Sequence, residues 1–298
     1  MLDSFRDNAA VQSIVTRASS ALGQNIGALI EAGPAEDLNL TINTQPVLLT
    51  AGYAIYAAWR AAGGAEPQVV AGHSLGEYTA LVAAGALELE DAVRLVRFRA
   101  QAMQEAVPVG VGSMAAILGL PDEAVQQACS EAGQGEVVDA VNFNAPSQVV
   151  IAGHSSAVQR ACEIAKRLGA KRAVPLAVSA PFHSSLLQPA SDRLRERLAH
   201  ATLKKPRIDL INNVDVSVES EPAKIADALA RQAAHPVRWA ATVRKMNDLG
   251  VTHVVECGPG RVLSGLTKRI APRLESLVVN DTATLASTLA TLGHADEL

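Results

Sequence analysis

The sequence predicts an α/β protein of two domains, the smaller inserted in the larger. Three observations carry this reading. From residue 68 onward, short β-type apolar runs alternate with stretches of helical period, the pattern of a largely parallel sheet. Between residues 108 and 179 the order becomes β-α-β-β-α-β, a ferredoxin-like order bounded by Pro108-Val109-Gly110 and Ala180-Pro181. The third observation is Gly72-His73-Ser74-Leu75-Gly76, a G-x-S-x-G element between the apolar run Gln68-Val69-Val70-Ala71 and a helical run over 77–84. The expected domains are therefore 1–107 with 180–298, and 108–179. A chain of 298 residues buries one large core or two unequal ones, and with 49% apolar but 3% aromatic residues that core is built from Ala, Val, Leu and Ile.

In chain order, Val11, Ile14, Val15 and Ala18, then Ile26, Leu29 and Ile30, recur at helical spacing with a break at Gly23, which predicts two helices over 8–32. Thr44-Gln45-Pro46 opens another, with Thr44 as cap and Pro46 in the first turn, running to Gly63-Gly64. The first strand comes only at 68–71. A helix over 90–106 carries the stripe Ala92, Leu95, Val96, Met103 and Ala106, with Arg99 on it. The inserted domain reads as strands at 114–118, 137–141, 148–152 and 173–178 with helices at 121–132 and 155–168. Strands near 208–213, 253–257 and 277–279, with helices between, complete the large domain.

Several function classes are excluded. A net charge of -4 argues against nucleic-acid binding, which needs a basic face. Cys129, Cys162 and Cys257 are odd in number and widely spaced, so they read as reduced core residues rather than a disulfide or metal framework. The start of the chain lacks a basic segment followed by an apolar one, and no apolar run is long enough to span a bilayer. The expectation is a cytoplasmic monomer that needs no metal or cofactor and does not bind membranes.

The G-x-S-x-G element is where chemistry concentrates. Between strand and helix it forms the nucleophile elbow of an α/β-hydrolase-like fold, so the full fold class is an α/β-hydrolase-like large domain with a parallel sheet plus an inserted ferredoxin-like small domain. The glycines allow a sharp turn and leave the Ser74 hydroxyl exposed at a helix N-terminus, where the backbone N–H of Leu75 is placed to hold an oxyanion. Arg99 reads either as a stem packed on the stripe with its head in water, or as a buried guanidinium that needs an anion and suits a carboxylate. Among seven histidines, His183 follows a strand at the domain junction, where a cleft is expected. Asp122 and Asp139 lie between serine and histidine in chain order but lack the strand-end context of a triad acid. Gln232 lies on the stripe Ile225, Ala228, Leu229 in the last turn of a helix, where carbonyls lack intrahelical partners and one of them could accept the Nδ1 proton of His183.

Gly72-His73-Ser74-Leu75-Gly76-Glu77-Tyr78, Arg99, Ala180-Pro181-Phe182-His183-Ser184 and Glu256-Cys257-Gly258-Pro259-Gly260 together resemble the bacterial malonyl-CoA:acyl carrier protein transacylases, over essentially the whole chain. The resemblance implies a ping-pong S-malonyltransferase of fatty acid biosynthesis with malonyl-CoA and acyl carrier protein as partners. Ser74 would be the nucleophile, His183 its base, Arg99 the anchor of the malonyl carboxylate, and the Gln232 carbonyl the orienter of the histidine. It also implies that Asn142 and Asn144 lie near the cleft, although turn chemistry before Pro146 accounts for them equally well, and that Phe182 favours a small malonyl group. Family members begin with an apolar strand and a Gly-Gln-Gly-Ser-Gln loop, and Met1 corresponds to a position just after it. A version extended upstream is therefore expected to be more stable and more active.

The alternatives are a thioesterase or esterase, which gives Arg99 no task, and a catalytically impaired carrier-protein-binding module. An acidic carrier protein would meet cations such as Lys166, Arg167, Lys171, Arg172, Lys268 or Arg269, each equally well explained as a solvated helix face or end.

Overall fold

The computed structural model describes residues 1–295 as a mixed α/β protein. Helices α1 (Ala9–Leu22), α2 (Ile26–Ala32), α3 (Ala35–Asn39) and α4 (Thr41–Ala61) precede the first strand, β1 (Val69–Val70). Next come α5 (Gly76–Ala83) and α6 (Leu89–Glu105), then β2 (Gly112–Leu118), α7 (Asp122–Gly133), β3 (Val138–Ala145), β4 (Gln148–His154), α8 (Ser155–Arg167) and β5 (Arg172–Leu176). The remainder is α9 (Gln188–Leu198), β6 (Asp209–Leu210), α10 (Pro222–Gln232), α11 (Trp239–Asp248), β7 (His253–Cys257), α12 (Val262–Ile270), β8 (Glu275–Val279) and α13 (Thr282–Ala295). The described chain forms two compact units, one of Met1–Arg97, Leu203–Leu210 and the described residues from Met246 onward, the other of Phe98–Thr202 and Ile211–Lys245. The segment expected as an inserted domain, 108–179, lies within the second.

In the first unit, α1 opens on Asn8, whose side chain accepts from the N–H groups of Ala10 and Val11. It closes on Gly23, left-handed at φ 61°, as the break in the apolar pattern predicts. The next helix departs from expectation. α4 begins at Thr41, so Thr44 is not its cap: the Thr44 hydroxyl donates to the carbonyls of Leu38 and Leu40. Pro46 lies inside the helix, where it has no N–H to offer the carbonyl of Ile42. The buried face of α4 includes Val47, Leu49, Ala51, Ala54, Ile55, Ala58 and Trp59. Packing of that face outweighs the lost backbone bond, since burying a single Leu or Ile side chain is worth about 1.5–3 kcal/mol.

The strands of this unit run parallel, as alternation implies, but they do not join into one ladder. β1 pairs with β6 (Val69 with Asp209, Val70 with Leu210), and β7 pairs separately with β8 from His253–Glu275 to Cys257–Val279. The β1 ladder is short because the chain turns at Gly72, just past its end.

The second unit holds a four-stranded antiparallel sheet in the order β3-β4-β2-β5. Side chains alternate between its faces with period two. Ala115, Ile117, Val149 and Ile151 point to one face and pack under α7 and α8 with Val125, Cys129, Val158, Ala161 and Ile164. Met114, Val150 and Ala152 point to the other, joined by Val141 and by the half-buried Phe182 from the segment after β5.

Candidate active site

The elbow in the first unit is set by one glycine. A Cβ on Gly72 would lie 2.0 Å from both the carbonyl carbon and the oxygen of Gly76, and 2.6 Å from the nitrogen of Glu77. These are backbone atoms that cannot give way, so only glycine fits. A Cβ on Gly76 would meet nothing within 4 Å. Of the two motif glycines, the first is therefore the one required by packing. The close approach of Gly72 to the start of α5 forces Ser74 between them into left-handed backbone at φ 52°. That conformation is unfavourable for a residue with a Cβ, at roughly 1–3 kcal/mol.

The same turn prepares an anion site. The N–H groups of Gly76, Glu77 and Tyr78 bond to the carbonyls of His73, Ser74 and Leu75 at 2.9, 3.1 and 3.0 Å. Among the described residues, the Leu75 N–H has no such carbonyl partner. It stands at the N-cap of α5, the positive end of the helix, beside the serine.

The second unit brings Arg99, His183 and Gln232 together. Arg99 lies on the buried face of α6 with Val96, Ala102 and Met103, and is only 2% exposed, so its head is not in water. Its Nη2 donates to the side-chain Oε1 of Gln232 at 2.9 Å. Gln232 is the last residue of α10 and fully buried on the stripe of Ile225, Ala228 and Leu229. Its backbone carbonyl, beyond the reach of the helix's own N–H groups, lies 2.7 Å from His183 Nδ1. A carbonyl only accepts, so Nδ1 carries the proton, and in the neutral ring the lone pair is on Nε2. His183 is buried and, like Ser74, left-handed, at φ 67°.

The outer face of α10 is pinned by charge. Arg231 bonds Asp215 at 2.6 Å and Asp227 at 2.7 Å, and Arg195 bonds Asp227 at 2.6 Å. Hydrogen bonds from Arg195 and Arg231 hold the Asp227 carboxyl below its ordinary range, and Arg231 does the same for Asp215. These folded-state values are depressed, so the contribution is present at neutral pH and is lost on acidification through the carboxylate range.

The remaining expected residues are placed as follows. Asn142 is buried within β3, where its neighbours Val141 and Phe143 exchange backbone bonds with Val237 at 2.9 and 3.0 Å. Asn144 is half-buried near the end of the same strand. Both lie in β3, ahead of the turn at Pro146-Ser147. Phe182 packs on the sheet face and fixes the segment one residue before His183. Asp139 accepts from the backbone N–H and the hydroxyl of Ser185, both at 2.8 Å, and so clasps the loop that carries His183 rather than the imidazole. Burial raises the Asp122 carboxyl at the start of α7.

The clasp by Asp139 and the side-chain bond of Gln232 to Arg99 are the features that sequence reasoning missed. A polar residue on an otherwise apolar stripe was the available signal for the second; the first had none. Among the described residues no group of three or more His, Cys, Asp or Glu is placed to hold a metal. Burial pushes the thiols of Cys129 and Cys257 up to about 12, so neither supplies a thiolate nucleophile at neutral pH.

Residues 3–284 match the acyl transferase domain family. The malonyl CoA-acyl carrier protein transacylase of Escherichia coli K12 is 51% identical over 94% of this chain and 90% of its own. The crystal structure of an acyl-carrier-protein S-malonyltransferase from Burkholderia pseudomallei superposes with a TM-score of 0.96 at 63% identity, over 97% of this chain and 94% of that one. A malonyl-transacylase solved in complex with its type II PKS acyl-carrier protein gives a TM-score of 0.96 at 48% identity, over 98% and 94%. The chain belongs to the acyl transferase family, as a member of its malonyl CoA-acyl carrier protein transacylases.

Proposed function

We propose that this protein transfers a malonyl group from CoA to the phosphopantetheine thiol of acyl carrier protein, in fatty acid biosynthesis, through an acyl-enzyme on Ser74. The observation that carries the reading is Gln232, which holds a tautomer-fixed histidine with its backbone and a buried arginine with its side chain. The reading assigns the nucleophile's role to Ser74 in the strained elbow. The fold description that accompanies it is an α/β-hydrolase-like large domain with a ferredoxin-like small domain, supported by the parallel pairs of the first unit and the β-α-β-β-α-β order of the sheet in the second.

Ser74 Oγ attacks the thioester carbonyl and passes its proton to His183 Nε2. The tetrahedral oxyanion is received by the Leu75 N–H at the N-terminus of α5. Collapse expels CoA as thiolate, which takes the proton from the imidazolium. The carrier's thiol then gives a proton to His183, attacks the Ser74 ester, and the proton returns to the serine as the ester breaks. Arg99 holds the malonyl carboxylate throughout, Asn142, Asn144 and Phe182 line the acyl group, and neither metal nor organic cofactor takes part. No helix among the described residues is long and apolar enough to cross a membrane. The free thiols of Cys129, Cys162 and Cys257 suit a reducing compartment, the cytoplasm.

The test is release of free CoA from malonyl-CoA with and without carrier protein bearing its phosphopantetheine arm. Sustained release that requires the arm is expected; equal release without carrier marks a thioesterase instead. The Asp139 clasp adds a second expectation. Asp139→Ala frees the loop after His183 and should lower kcat by about 10-fold with little change in KM, because the base loses its fixed position while Arg99 keeps its own. Steady-state kinetics check this, and an unchanged kcat shows that the clasp has no part in turnover.

A further inference from the structure

Gln232 is an unexpected residue for its place. Ile225, Ala228 and Leu229 on the same stripe of α10 are apolar, yet this fully buried position carries an amide whose Oε1 lies 2.9 Å from Arg99 Nη2. The histidine contact does not explain the choice, because it uses the backbone carbonyl, which every residue has. A buried amide is costly unless bonded, so what it bonds is its reason for being there.

We propose that the Gln232 side chain is a specificity-determining positioning residue: it fixes the Arg99 guanidinium for a carboxylated acyl group without neutralising it. Glutamate would fix the guanidinium equally well, and would also occupy it as an internal anion. Methionine would fill the same volume and fix nothing. The neutral amide orients the cation and adds no negative charge of its own beside it. One residue thus sets the acyl-recognition arm with its side chain and the base with its backbone. This inference rests on the malonyl-transfer reading above.

The experiment measures kcat/KM for malonyl-CoA and for acetyl-CoA as donors to the same carrier protein, in the wild type, Gln232→Glu and Gln232→Met. Any common loss through His183 or through stability cancels in the malonyl-to-acetyl ratio. That ratio is expected to fall roughly 100-fold in Gln232→Glu and roughly 10-fold in Gln232→Met, the scale of a rearranged hydrogen bond to a buried charge. In an Arg99→Ala background, Gln232→Glu should change the ratio no further, since its effect is routed through the guanidinium. Methionine is close in volume to glutamine and carries the test if the glutamate variant does not fold. Ratios unchanged in the single variants, or a fall as large without Arg99 as with it, overturn the proposal while malonyl transfer by the wild type stands. A wild type that transfers neither donor contradicts the underlying reading and removes the proposal with it.

Discussion

Replacing Arg99 with alanine is expected to cut kcat/KM for malonyl transfer by about 1000-fold, while transfer of an uncharged acetyl group falls by no more than about 10-fold. The expectation follows from burial. At 2% exposed, the guanidinium is held out of water on the inner face of α6, where its pairing with an incoming carboxylate is weakly screened. Removing one partner of such a pair typically costs about 3–5 kcal/mol, because the other charge is then desolvated without compensation. In the variant that charge is the malonyl carboxylate, so the penalty falls on carboxylated donors alone. Arg99→Lys restores the charge without the planar fork and should recover only part of the rate. Initial rates with both donors check this. A malonyl rate that survives Arg99→Ala removes the residue from substrate recognition.

The second large effect is expected at Gly72. A methyl group there overlaps the backbone at Gly76 and Glu77 at 2.0 to 2.6 Å, so Gly72→Ala must push β1 away from α5 or unwind the turn between them. Either movement releases Ser74 from its left-handed conformation at φ 52°. Turnover should fall below detection, and stability should fall by roughly 1–3 kcal/mol, the range for overpacking in a close-packed interior. Gly76→Ala is the control. Its Cβ enters open space at the first position of α5, where alanine is the better helix former by roughly 1 kcal/mol, so its melting temperature should hold or rise. Thermal unfolding of the two variants separates them; equal losses contradict the assignment of the turn to Gly72 alone.

These expectations draw on different depths of the sequence. The elbow, β7 at 253–257 and the break at Gly23 were readable because each is set within a few residues, by turn chemistry or periodicity. The last turn of α10 was readable for the same reason: Pro236 stops the helix and leaves the Gln232 carbonyl for His183. The start of α4 was misread because Pro46 normally marks a first turn, and here the packing of Leu49, Ile55 and Trp59 overrides that preference. A single parallel sheet was expected because alternation reports strand direction but not which ladders join. The contacts that complete the site were beyond reach for a different reason. Arg99 and Gln232 are 133 residues apart, and Asp139 and Ser185 are 46 apart. No local pattern encodes such pairs. The positive φ of His183 was likewise hidden, since a histidine carries no sign of the backbone it is forced to adopt.

The most direct test of the account is the intact mass of the protein after brief exposure to malonyl-CoA without carrier protein. Ser74 Oγ should take up one malonyl group, located on the peptide containing Gly72-His73-Ser74-Leu75-Gly76. The adduct should vanish on addition of carrier protein bearing its phosphopantetheine arm, and should never form in Ser74→Ala. A malonyl adduct that persists in Ser74→Ala, or carrier-dependent transfer by that variant at the wild-type rate, contradicts it.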